Sequence, residues 1–314
     1  MSKLNIGVLR GGKSDMYEAS LKSGANIIKN LNKESYNVTD VFISDENIWH
    51  INGIETTPFD SVLRFDVIFN SLHGKYGSEG NIQHHLETSG VRFTGPGSFS
   101  AISAKNRIFM KGNLIKNNIR TPGYVVFESI DDVVPESVKV VTDRFPLPVV
   151  VKPNIGDSAI STIVVKNIND LIPSIKKTFE ISDKVIIEEF IDGMDVSVGI
   201  IDWYRDEFIY ALPPGENKPD FVIAMHLDYK VKRELEDIAR KVHEIFGLRH
   251  YSKIDFILTK KNTIYVIEPD CTPKLDENSF FVKSLESVGF KFPDFLDHVI
   301  TLTMKQRMRG QMAE

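Results

Sequence analysis

Apolar residues recur along this chain with two periods, and each change of period marks a new element. Residues 4–9 form a short apolar run of the kind a fully buried strand requires, and it leads into Arg10-Gly-Gly-Lys-Ser14. From residue 17 to residue 30 the spacing becomes helical, through Leu21, Ala25, Ile27 and Ile28. Residues 37–43 and 66–72 predict two further strands, the second ending in His73-Gly-Lys-Tyr-Gly-Ser-Glu-Gly80, and residues 81–89 predict a helix. Strands alternating with helices imply a parallel sheet, whose ligands collect beyond the carboxyl ends of the strands. Both glycine loops fall on that edge.

The pattern then changes character. Residues 100–118 predict one helix, stopping before Thr121-Pro-Gly123, and Pro146-Leu-Pro-Val-Val-Val-Lys-Pro153 reads as a strand framed by prolines. A strand at 161–166, a helix at 169–181 and a strand at 185–190 complete a small α+β module. Strands at 196–201 and 207–212, a helix at 230–246 and a closing helix from 292 to about 308 flank a hairpin of two strands, 251–258 and 263–270. The α/β chain therefore divides into three domains: 1–103, 104–190 and 191–314.

Composition narrows the partners. Apolar content of 42% and charged content of 26% are ordinary for a globular protein, and a net charge of -5 with a pI near 6.0 offers no basic footprint for nucleic acid. The single cysteine, Cys271, excludes an internal disulfide framework and suits a reducing cytoplasm, with a packing role expected for it. No signal peptide or membrane span is expected.

The hairpin carries the first candidate chemistry. Asp255, Glu268 and Asp270 sit within its apolar runs, and an unpaired buried carboxylate costs several kcal/mol or takes up a proton. Oxygen-only ligands suit Mg²⁺, with nucleotide phosphates completing its shell. The other reading is three edge-strand acids facing water. Lys152 ends the Val149-Val-Val strand before a small polar loop, so it either pairs with an acid or a nucleotide phosphate or snorkels to the surface. Glu188 and Glu189 close the next strand, where an adenine amine and a ribose could meet them.

The order of these pieces resembles the ATP-grasp superfamily and, within it, the D-alanine:D-alanine ligases. Gly11-Gly-Lys-Ser-Asp-Met-Tyr-Glu-Ala-Ser-Leu-Lys-Ser-Gly24 is similar to the family's GGxSxExEVSLxSG, and His73-Gly-Lys-Tyr-Gly-Ser-Glu-Gly80 to its HGxxGEDG. Thr94-Gly-Pro-Gly97 resembles its YTGSG and Asp270-Cys-Thr-Pro273 its NTxPG. The resemblance implies a three-domain fold with ATP held between the second and third domains, and two Mg²⁺ ions with Mn²⁺ as an alternative. It further implies transfer of the γ-phosphate to one D-alanine and attack by the amine of a second, in making a cell-wall peptide precursor, and a homodimer through the N-terminal domain.

By matched position the resemblance implies that Arg107 and Lys152 contact phosphates, Glu188, Glu189, Ile191 and Asp195 the adenine and ribose, and Asp255, Glu268 and Asp270 the metal. His73 matches a first-substrate histidine, and Ser279 the serine holding the second substrate's carboxylate. Lys253, Ser158 and Glu18 match positions with catalytic roles.

The substrate side departs from the family. Met16 stands where a glutamate orients the first ammonium group, Lys253 where an arginine faces the oxyanion, Arg107 where a lysine binds phosphate, and Lys274 where a glycine N–H helps form the oxyanion hole. The loop at 213–222 is short and lacks the family's Tyr-x-x-Lys-Tyr. Two further readings stay open: a ligase for another amino acid pair, and a nucleotide-binding pseudoenzyme acting as a partner or regulator.

Overall fold

The computed structural model describes residues 3–156, 161–216, 222–224 and 226–305. Contacts divide the chain into two compact units, one of Met1–Ile102, Val196–Ile254 and Pro269–Glu314, the other of Ser103–Asp195 and Asp255–Glu268.

In the first unit, β1 (Leu4–Gly11), β2 (Tyr36–Ile43), β5 (Val67–Asn70) and β6 (Arg92–Phe93) pair in parallel in the order β2-β1-β5-β6. This is the sheet that alternating periods predict. An antiparallel hairpin of β3 (Trp49–Ile51) and β4 (Ile54–Thr56) extends it beyond β2. That extension has a local cause, since Asn52 and Gly53 turn the chain at φ 51° and 80°, the two left-handed residues of a tight hairpin turn. Strand β1 is buried on both faces, with Ile6 and Val8 in one apolar cluster and Leu9 in another with Ile43, Trp49 and Leu72. Its unbroken apolar run is explained by that double burial.

Helices α1 (Tyr17–Asn30), α2 (Pro58–Val62), α3 (Gly74–Ser78), α4 (Asn81–Thr88) and α5 (Ser98–Lys105) complete the first segment. Further along the chain, β11 (Met194–Tyr204), β12 (Glu207–Ala211), β13 (Gly215–Glu216), β14 (Val222–Ile223), β15 (Tyr251–Leu258) and β16 (Ile264–Asp270) form a second sheet. The predicted hairpin is realised as β15 next to β16.

The second unit holds a four-stranded antiparallel sheet, in the order β7 (Tyr124–Phe127), β10 (Val185–Glu189), β8 (Val149–Pro153), β9 (Ile163–Val165). Helix α6 (Arg107–Lys116), helix α7 (Pro135–Arg144) and helix α8 (Leu171–Phe179) accompany it, and Val141, Val149, Val151, Leu171, Ile175 and Val185 are fully or almost fully buried in its core. The single helix expected over 100–118 is two, because Asn106 takes an extended backbone (φ -76°, ψ 102°) and caps α6 through its side chain.

Helix α9 (Tyr229–Ile245) buries Val231, Leu235, Ala239 and Val242, spaced for one face, and the chain closes through α10 (Phe280–Ser287) and α11 (Phe292–Lys305). Among the described residues no helix is long and apolar enough to cross a membrane.

Candidate active site

In the second unit, charge is buried where core would be expected. The inward face of α6 is Arg107, Met110, Lys111 and Leu114, an i, i+3, i+4, i+7 stripe in which two positions are cations. Lys111 has no solvent exposure, and its Nζ lies 3.0 Å from Glu188 Oε1. It also donates to Thr121 Oγ1 at 3.0 Å and Pro122 O at 3.1 Å, with the Tyr124 ring 5.5 Å away. Strands β8 and β10 pair so that Lys152 stands beside Ile186, and Lys152 Nζ donates to Glu188 Oε2 at 3.0 Å.

One carboxylate thus serves two ammonium groups, as a buried acid must be paired to stay charged. Burial pushes Glu188 up, but Lys111 and Lys152 more than offset it and hold the carboxyl below its usual range. Burial, resisted by Glu188, pushes Lys111 down. Of the alternatives for Lys152, the acid pair is realised and the snorkelling surface lysine is not.

Arg107 is buried and holds the turn after β8. Its Nη1 donates to Pro153 O at 2.7 Å and its Nη2 to Gly156 O at 2.9 Å, with Glu268 Oε2 3.4 Å away. Glu189 Oε1 accepts from Gly123 N at 2.7 Å. Ile191 is partly buried just beyond β10. Partial burial, then the neighbouring Asp255, push the Asp195 carboxyl up, so two acids crowd one another in this unit.

Among the described residues no group of three or more His, Cys, Asp or Glu side chains is placed to hold a metal ion by itself. Asp255 and Glu268 belong to the second unit and Asp270 to the first. Their chemistry fits Mg²⁺ nonetheless, because that ion takes one or two protein carboxylates and draws its other ligands from phosphate and water.

In the first unit the two glycine loops leave the carboxyl ends of β1 and β5. Gly11 has φ +88°, and a Cβ there would stand 2.1 Å from Ile43 O, so only glycine fits. Ser20 Oγ links the loops, accepting from Gly11 N at 2.9 Å and donating to Ser71 O at 3.0 Å, while Ser14 Oγ donates to His73 O at 2.9 Å. His73 is buried. Its Nδ1 donates to Thr272 O at 2.9 Å, and its Nε2 lies 2.9 Å from Ser23 Oγ, which accepts from Leu275 N at 3.0 Å. The loop after β16 is therefore tied to α1 through one imidazole, and Asn26 Nδ2 adds a bond to Leu275 O at 2.8 Å.

The remaining predicted residues are scattered through the same unit. Lys253 is partly buried on β15, Asp270 Oδ1 accepts from Thr272 N at 3.2 Å, and Lys274 is exposed. Ser279 caps α10, accepting from Val282 N at 3.4 Å, and Glu18 is exposed in the first turn of α1. Ser158 lies outside the described residues. Met16 occupies the N-cap of α1 without a side-chain cap.

Lys111 and Ser23 are the functional neighbours that sequence reasoning missed. Lys111 left a signal in its i+4 spacing from Arg107 on the apolar face of α6. Ser23 left none, because its partners are His73 and Leu275, fifty and 252 residues away.

The chain is similar to known proteins over almost its whole length. A family model described as the D-ala D-ala ligase C-terminus matches residues 114–301. A D-alanine--D-alanine ligase of Clostridium botulinum is 29% identical over 314 residues, covering 96% of this chain and 99% of that protein. Among solved structures, the D-alanine-D-alanine ligase of Coxiella burnetii superimposes with a TM-score of 0.89 at 23% identity, covering 99% of this chain and 96% of that one. The Bacillus anthracis D-alanine--D-alanine ligase complexed with ATP does so with a TM-score of 0.82 at 22% identity, covering 96% and 97%. The fold is theirs, the three-domain ATP-grasp architecture. With more than half of its length matched by the family model, the chain belongs to the D-ala D-ala ligase family.

Proposed function

We propose that the protein is an ATP-dependent ligase that joins two D-alanines through an acyl phosphate, supplying a cell-wall peptide precursor in the cytoplasm. The observation that carries this reading is the buried cluster of Arg107, Lys111 and Lys152 against Glu188 and Glu268. Three cations against two carboxylates leave one positive charge, which suits a polyphosphate in a dry site. The three separate sheets support a reading of three domains with boundaries near residues 103 and 190.

In this reading Arg107 and Lys152 take phosphate oxygens, and Glu188, Glu189, Ile191 and Asp195 line the adenine and ribose. Asp255, Glu268 and Asp270 hold Mg²⁺, which when bound neutralises charge on the transferring phosphoryl group. His73, fixed by Thr272 O, orients the first amino acid, whose carboxylate oxygen forms the new P–O bond as ADP leaves. Ser279 receives the carboxylate of the second amino acid. The free amine of that second amino acid attacks the acyl carbon, phosphate leaves and takes up the amine's surplus proton, and the positive charge of Lys253 faces the tetrahedral oxyanion. Ser158 assists the transfer, as does Glu18 from the first turn of α1, and the chain pairs as a homodimer through its N-terminal domain.

A second reading, a ligase for a different amino acid pair, draws on Met16. A thioether at the start of α1 accepts only weak hydrogen bonds and gives an ammonium group little to hold.

The deciding assay measures phosphate release from ATP across a panel of D- and L-amino acids. Release only with D-alanine supports the first reading, and release only with another pair supports the second. Asp255→Ala and Glu268→Ala should each abolish release. No turnover with any pair, while ATP and Mg²⁺ still raise the melting temperature, leaves a nucleotide-binding pseudoenzyme. No effect of ATP at all overturns every one of these readings.

A further inference from the structure

Lys111 and Lys152 share one carboxylate but are not equivalent. An ammonium group has three N–H bonds to give. Lys111 gives all three, to Glu188 Oε1, Thr121 Oγ1 and Pro122 O, at 3.0, 3.0 and 3.1 Å. It is wholly buried and held, with nothing left to offer a ligand. Lys152 gives one among the described residues, to Glu188 Oε2 at 3.0 Å, and keeps a little solvent exposure. Among the described residues its two other N–H directions meet no acceptor.

The charges divide the same way. Glu188 carries one negative charge, and in a low-dielectric interior a carboxylate facing a single lysine would form a closed, neutral pair. A second lysine changes that balance. We propose that Lys111 is a positioning residue for nucleotide binding: it neutralises Glu188 through Oε1 from within the core, so that Lys152 keeps its positive charge and two donors for a phosphate. This rests on the reading that the chain binds ATP. Lys111 acts through Glu188 and Lys152 and never touches the nucleotide.

Removing Lys111 leaves Lys152 as the only lysine on Glu188, and the pair closes. Removing the charge of Glu188 as well releases Lys152 again. The effect of Lys111 on ATP affinity is therefore conditional on Glu188, which a role in packing alone would not be.

The experiment is a double-mutant cycle read as the Kd for ATP, with Mg²⁺ present, by isothermal titration calorimetry on the full chain. Lys111→Met should weaken ATP binding at least tenfold. In a Glu188→Gln background the same substitution should change it less than threefold, whatever Glu188→Gln does alone. Lys111→Arg, which keeps the charge, should stay within threefold of the parent. Should Lys111→Met fail to fold, Lys111→Gln, which keeps a donor for Thr121 or Pro122, carries the same cycle. An equal loss in both backgrounds overturns the inference, as does no loss in the parent background. Absence of ATP binding by the unaltered protein overturns the nucleotide reading itself, a different result from an additive cycle in a protein that binds ATP.

Discussion

His250 is buried with a left-handed backbone (φ 68°), and its Nδ1 accepts a hydrogen bond from Gly95 N at 3.0 Å. Burial first, then the neighbouring Arg249, push the imidazole down from 6.5 to about 3, against the pull of Asp202. Between these two values the unfolded chain binds a proton that the folded chain refuses, so stability is complete above pH 6.5 and drains away as pH falls toward about 3. The slope for one such group is about 1.4 kcal/mol per pH unit. Asparagine tolerates the left-handed region and its Oδ1 can replace Nδ1 as acceptor. We therefore expect the stability gap between the parent and His250→Asn to shrink by about 3 kcal/mol between pH 7 and pH 4.5, by urea denaturation. A gap independent of pH would show that His250 is charged when folded. Sequence spacing says nothing of this residue, because its environment is assembled from Gly95 and Asp202, distant in the chain.

Elements were easier to read than their joints. The glycine loops, the Val-Lys-Pro strand and the acidic hairpin were visible because each couples a period of hydrophobicity to a residue type with one physical use. The join between α5 and α6 was not, since the apolar spacing runs on through Asn106 while the backbone does not. Asn106 accepts from Phe109 N at 3.0 Å, and losing such a cap costs about 1 kcal/mol. Asn106→Ala should lower the unfolding free energy by that amount in chemical denaturation, and an unchanged midpoint would mean that α6 is held by its buried face alone. The hairpin of β3 and β4 was missed despite its Asn52-Gly53 signal, because strands of three residues are too short to show alternation. The carboxylates Glu188 and Glu268 were legible as candidates, but their pairing with Lys111 and Arg107 crosses 77 and 161 residues, a distance no local pattern spans.

For the whole molecule, a ligand that binds only the folded chain stabilises it by mass action, about 2.7 kcal/mol at a hundred times its Kd. ATP with Mg²⁺ at that excess should raise the melting temperature of the parent by about 4 °C. EDTA should remove most of the gain if Asp255 and Glu268 share the ion with phosphate. A shift that survives EDTA unchanged would mean that the nucleotide is held by cations and backbone without the metal.

The second compact unit is built from two separate stretches, Ser103–Asp195 and Asp255–Glu268. During synthesis, Arg107 leaves the ribosome 161 residues ahead of its partner Glu268. At about 5–20 residues per second that is a wait of roughly 8 to 32 seconds. Pro153 O and Gly156 O arrive within the first third of that interval and can take the guanidinium meanwhile. The nascent chain therefore has a provisional home for this charge, and the last carboxylate joins a turn that its own backbone carbonyls have already gathered.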